Sequence, residues 1–148
     1  MGDITMQKQY LCIRVDKFEL AIPVLNIIEI IIADQSTDFH GQSADDPAVY
    51  SFRDLQIPLV DLSRILDEAP RNTPLGGRII ICEHGSDKAA LLTDSADEIL
   101  RLDDDSLSES TDSQSGIKAD YLSGSISIDE RIISILSIEK ILRTVPTR

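Results

Sequence analysis

The chain has 148 residues and a formal net charge of −12, with 42% hydrophobic residues, only 4% aromatic residues and no Trp. That balance excludes a phosphate backbone or an anionic membrane surface as partner, because both require a basic footprint. It favours a partner with a basic face, held by contacts that salt weakens. The length suits one domain or two small subdomains sharing a core. With so few aromatics, that core must be built from Ile, Leu and Val, a composition that favours strands.

Met1 to Gln9 is polar and offers no secretory apolar region, so a soluble cytoplasmic protein is expected. Gln9 to Val15 reads as a strand, Asp16-Lys17 as a turn, and Phe18 to Pro23 as the returning strand. Pro23 then opens one helical turn over Val24 to Ile28, and the β-branched Glu29 to Ile32 is extended. Val24 to Ile32 is apolar except for Asn26 and Glu29, which suits either core or a partner-binding edge. The apolar run from Ile27 to Ala33 contains Glu29 and is far too short to insert in a membrane. Asp34 to Pro47 is a polar loop. Val49 to Phe52 and Leu55 to Val60 are strands around a tight Arg53-Asp54 turn. Pro58 cannot donate to a ladder, so an edge or strand-end position is expected for it. Asp61 caps a short helix over Leu62 to Asp67, and Glu68 to Gly77 is a linker.

Arg78 to Glu83 and Lys88 to Thr93 form a hairpin about His84-Gly85-Ser86-Asp87. Asp94 begins a short turn that runs into Ile99 to Leu102. Asp103 to Lys118 is rich in Ser and Asp and is expected to be a loop. Tyr121 to Ile128 and Arg131 to Leu136 form a hairpin over Asp129-Glu130. Ser137 caps a final helix, Ile138 to Val145, which Pro146 ends. One phrase recurs along this path: an apolar run, a capping side chain, then a helix closing on an apolar pair. It spans Arg53 to Leu66, then Leu91 to Leu100, then Ile135 to Leu142. Nine or ten short strands with brief helices argue for barrels or sandwiches, and no helix is long enough for a βαβ crossover.

No constellation for bond chemistry emerges. His84, Ser86 and Asp87 are the residue types of a hydrolase triad, but neighbours in one hairpin turn cannot set base against nucleophile. Asp103-Asp104-Asp105 lacks the alternation, central Gly and distal Glu of a calcium loop. Cys12 and Cys82 lie inside apolar runs and read as small buried hydrophobes, with no zinc spacing to the His residues. No Gly-rich phosphate loop occurs, and no cofactor is expected. A protein-binding module is the remaining class, with the Val24 to Ile32 segment and Arg53 as its candidate contacts.

The order of these phrases resembles the CheW-like family, the coupling proteins of bacterial chemosensory arrays, whose relatives include domains of CheA kinases and CheV proteins. The family's opening phrase ends in valine-x-glutamate-isoleucine, matched here by Leu20 to Ile30 with Ile27, Glu29 and Ile30. Its arginine turn and proline-x-valine-aspartate-leucine strand are matched by Arg53-Asp54 and Pro58 to Leu62. Its closing glycine, charged hairpin and isoleucine-glutamate-lysine helix are matched by Gly124, Asp129 to Arg131 and Ile138 to Leu142. The resemblance covers residues 9–143, leaving 1–8 and 144–148 as short tails.

It implies a mainly β fold of two small SH3-like five-stranded β-barrel subdomains sharing an apolar core, with short helical corners and a C-terminal helix. It also implies a non-enzymatic scaffold that binds the cytoplasmic tip of a chemoreceptor and the regulatory domain of a CheA-type histidine kinase. A diverged paralogue in another signalling pathway, or a self-associating scaffold, is the alternative. The partner contacts implied are Ile27, Glu29, Ile30, Arg53, Asp54, Ala96 and Ile99. On that footing Ile27→Asp is expected to abolish binding without unfolding the chain. The sequence departs from the family at the turn, where Asp54 replaces a glycine, and at Ala48, Thr93 and Ala96. Asp54 is expected to draw Arg53 toward an internal pair.

Overall fold

The computed structural model describes residues 7–33, 39–40, 49–62, 77–109 and 119–144. Its strands are β1 (Lys8–Val15), β2 (Phe18–Pro23), β3 (Ile27–Ile32), β4 (Phe39–His40), β5 (Val49–Phe52) and β6 (Leu55–Asp61). They continue as β7 (Arg78–His84), β8 (Asp87–Thr93), β9 (Ser95–Leu102), β10 (Leu107–Ser108), β11 (Leu122–Ile128) and β12 (Arg131–Leu136). The α-helix α1 (Ile138–Thr144) follows. The strands form two six-stranded sheets, ordered β10-β11-β12-β2-β1-β9 and β3-β7-β8-β6-β5-β4. Each sheet curls into a half-barrel. The sixth strand in each is a two-residue strand, β10 or β4, which is why six appear where five were expected.

Side chains alternate across a strand, and here both faces of the central strands are apolar. On β1, Tyr10 and Cys12 join one cluster with Ala21, Ile126, Ile133 and Ile135, the interior of the first half-barrel. On β7, Ile79 and Ile81 join Tyr50, Phe52, Ile57 and Ala90, the interior of the second. The intervening residues Leu11, Ile13 and Val15 of β1 meet Ile80 and Cys82 of β7 in a third cluster between the sheets. Ile138, Ile141 and Leu142 of α1 close that shared core. The Ile79–Cys82 run thus feeds two cores at once, which explains why it shows no polar alternation.

The turns follow their local chemistry. Arg53 (φ 49°) with Asp54 (φ 65°), and Asp129 (φ 46°) with Glu130 (φ 68°), are two-residue turns in the left-handed region, as tight hairpins require. The β7–β8 turn is Gly85-Ser86, with Gly85 at φ 65°. Ser137 caps α1 as expected, its Oγ accepting from the Lys140 N–H at 3.2 Å.

Several expectations need correction. Asp94 caps no helix: residues Ser95–Leu102 are a full strand. Its carboxylate instead accepts from the Asp16 N–H at 2.5 Å, bracing the β1–β2 turn. Pro58 is not on an edge, since β6 lies between β8 and β5. It stands where β6 passes from β5, paired through Pro58, to β8, paired from Leu59. The hairpin alternation makes Val49/Pro58 a non-hydrogen-bonded pair, so no ladder bond to β5 is lost. The single helical turn after Pro23 is a 3-10 turn over Val24–Asn26, and β3 starts at Ile27. The acidic stretch is not all loop, because Asp104–Ser106 is a 3-10 turn and Leu107 pairs with Ile126. Of the helix expected over Leu62 to Asp67, only Leu62 lies within the described residues, where it is helical and fully buried; 63–67 and most of the two linker loops lie outside them.

Candidate docking site

β3 is the end strand of the second sheet and pairs with β7. A register shift between Ile27 and Glu29 sets Glu29 opposite Ile81 and Ile30 opposite Ile80. Cross-strand partners share a face, so Glu29 turns toward the mouth of the second half-barrel and Ile30 toward the opposite side. Ile30 is 44% exposed and Ile32, on the same side, is 61% exposed. Just before β3, Leu25 projects almost wholly into solvent at 97% exposure. The Asn26 side-chain amide fixes that 3-10 turn by donating to the Glu83 carbonyl at 2.9 Å. The segment is therefore not simply core: Leu25, Ile30 and Ile32 line an exposed edge, while Ile27, Ile28 and Ile31 pack inward.

The curl of the sheet brings the β5–β6 turn beside β3. Arg53 donates to Glu29 Oε1 at 3.2 Å, and its guanidinium lies 4.7 Å from the centre of the Phe52 ring. Each contact is worth about 0–1 kcal/mol at an exposed position. Together they hold Arg53 down along the corner. Asp54 is exposed and makes no ion pair or hydrogen bond among the described residues. Leu55, next to it, is 51% exposed.

The other expected contacts divide. Ile27 is half-buried, packs against the shared core and faces Cys82 across the ladder. An Asp there would sit against the core, so Ile27→Asp is destabilising and cannot isolate a binding defect. Ala96 also packs against the shared core, opposite Ile13. Ile99, opposite Leu11 on β9, is 56% exposed at the end of the first sheet. The structure thus joins Glu29 with Arg53 and Asp54 at one corner, sets Ile30 on the reverse of the same edge strand, and puts Ile99 on the other sheet. Leu25 and Ile32 lie in the Val24 to Ile32 segment that the sequence marked, whereas Leu55 and Ile132 are exposed apolar residues that the sequence reasoning missed. Pro23 starts the 3-10 turn that carries Leu25, at φ −57°.

Among the described residues no group of His, Cys, Asp and Glu could hold a metal ion. Cys12 and Cys82 are free and buried. Burial pushes the Cys82 thiol up to about 12. Burial, then the negative field of Glu98, pushes Cys12 up to about 11, against the opposing charge of Arg131. Both are neutral thiols at physiological pH, without nucleophilic character. His84 Nε2 lies 4.0 Å from Glu139 Oε2, a surface contact to α1. No helix among the described residues is long and apolar enough to cross a membrane.

Two half-barrels sharing one apolar core, with exposed apolar edges, are the observations against which the family comparison stands. A family model of the CheW-like domain matches residues 9–145. The chain belongs to the CheW-like family. This CheW-like chain is similar to the scaffolding protein TtCheW from Thermoanaerobacter tengcongensis, at 20% identity, over 90% of each chain and with a TM-score of 0.75. At that identity the likeness establishes the fold, that of two SH3-like subdomains. No curated protein matches the sequence.

Proposed function

We propose that this CheW-like protein is a non-enzymatic cytoplasmic scaffold that couples chemoreceptors to a CheA-type histidine kinase. The observation that carries the reading is the family match across residues 9–145, on a fold with exposed apolar residues at the ends of both sheets. Two separated edges suit a protein that must hold two partners at once, the kinase regulatory domain and the receptor tip. Such a scaffold carries out no covalent step and transmits bias between its interfaces. The β3 edge carrying Glu29 and Ile30, the exposed Asp54 of the adjacent turn, and Ile99 are the proposed contacts, with Arg53 holding that turn against Glu29. A second reading, a diverged paralogue serving another pathway, draws on the Arg53–Glu29 pair, which engages the turn arginine within the chain.

Titration calorimetry against the regulatory domain of the CheA-type kinase from the same organism tests the proposal. Saturable one-to-one binding is expected, with Ile30→Asp weakening it at least about ten-fold in a chain that stays folded by circular dichroism. Unchanged affinity in that folded variant removes β3 from the interface. Absence of binding by the unmodified chain favours the paralogue.

A further inference from the structure

We infer that the partner surface docking at the Arg53 turn presents a basic side chain to Asp54. This inference rests on the proposed coupling function and names the chemistry of the surface at that corner.

Among the described residues three charges meet there: Glu29, Arg53 and Asp54. The first two are engaged with each other at 3.2 Å, and Arg53 is further held over the Phe52 ring. Their fields largely cancel beyond a few ångströms, so these three residues together carry one unit of negative charge, on Asp54. Asp54 stands free at the tip of a two-residue turn, exposed and with no partner among the described residues. Leu55, half exposed beside it, supplies apolar area for a partner to cover. Covering Leu55 also strips water from the neighbouring carboxylate, which is unfavourable unless a cation or donor replaces that water. A Lys or Arg on the partner meets both demands, with its charge on Asp54 and its alkyl stem along Leu55. The chain's net charge of −12 steers basic surfaces in the same direction. Arg53, already paired, is then a structural member of the corner and not its anchor.

The calorimetric titration, repeated at two salt concentrations, separates the possibilities. For the unmodified chain, affinity is expected to fall as salt rises. Asp54→Lys is expected to weaken binding about ten-fold and to flatten that salt dependence, because a screened attraction becomes a screened repulsion. Asp54→Asn accepts the same backbone conformation and removes only the charge, so about three-fold weaker binding is expected even if the Lys variant fails to fold. Arg53→Gln leaves Glu29 unpaired and these residues one unit more negative together, and is expected to keep affinity within about three-fold. Unchanged affinity and salt slope in Asp54→Asn, with binding still lost in Ile30→Asp, overturns the basic-partner inference and leaves the coupling function standing. Loss of binding in Arg53→Gln alone overturns it too, in favour of an arginine anchor. Unchanged affinity in every variant, Ile30→Asp included, or no binding by the unmodified chain, overturns the site and the inference together.

Discussion

Asp54 combines a backbone that favours glycine with a side chain that glycine lacks. At φ 65° an L-residue loses energy to the contact between Cβ and its own backbone, and Asp suffers this less than most. Asp54→Gly is therefore expected to stabilise the chain by about 0.5–1 kcal/mol, measured by urea unfolding. The same change removes the free charge of the corner, so stability rises as partner affinity falls. A variant that lost both would show that Asp54 has a packing role that its exposure argues against. Ile27 and Ile30 make the complementary contrast at this scale. They are three residues apart on one strand, yet Ile27 packs on the shared core and Ile30 faces solvent. Only the second can be changed to Asp as a clean probe of binding.

At the scale of elements, two joints secure β11 of the first half-barrel, one to β10 and one to α1. β10 lies against β11 at Gly124, where an added Cβ would collide with the Ser108 carbonyl oxygen. Gly124→Ala is expected to displace β10 and destabilise by about 1–3 kcal/mol, seen as a lowered urea midpoint with faster amide exchange at Leu107 and Ser108. At α1, Ser137 supplies the cap and Lys140 Nζ donates to the Leu122 carbonyl at 2.7 Å. Ser137→Ala is expected to lower stability by about 1 kcal/mol in the same assay. These joints also show which elements the sequence made legible. The hairpins over Asp16-Lys17, Arg53-Asp54 and Asp129-Glu130 were legible because apolar runs of strand length flank short polar turns. The Ser137 cap was legible because its signal is local. β9 was not, because Asp94 looks like a cap and its actual partner, the Asp16 N–H, is 78 residues away. β10 was not, because a lone Leu107 in an acidic stretch gives no periodicity. At the docking corner the residue types of Glu29 and Arg53 were visible. The register shift that turns Glu29 and Ile30 to opposite sides arises from pairing with β7, which no local pattern encodes.

For the whole molecule, the decisive feature is the core between the sheets. Leu11, Ile13 and Leu20 from the first sheet and Ile80, Cys82 and Leu91 from the second share one cluster, so neither half-barrel can lose its partner without exposing its own outer face. Unfolding is then expected to be a single cooperative transition. The two cysteines report it, since Cys12 sits inside the first half-barrel and Cys82 in the shared core. With thiols raised to about 11 and about 12 and both buried, alkylation at pH 8 follows opening of the chain. Cys12 and Cys82 are expected to become reactive at one urea midpoint. Ile80→Ala, cut from a fully buried site on the second sheet, should move both midpoints together by the equivalent of about 2–5 kcal/mol. A midpoint that shifts for Cys82 and stays in place for Cys12 would show two independently unfolding barrels. The same thiols fix the sign of the alkaline limb. Their folded values lie above the ordinary 9.0, so the native chain holds its thiol protons more tightly than the unfolded chain does. Their contribution to stability is complete below about pH 9 and is lost as pH rises toward 11 and 12. Cys82→Ala should flatten that loss, and an unchanged slope would place the alkaline transition elsewhere in the molecule.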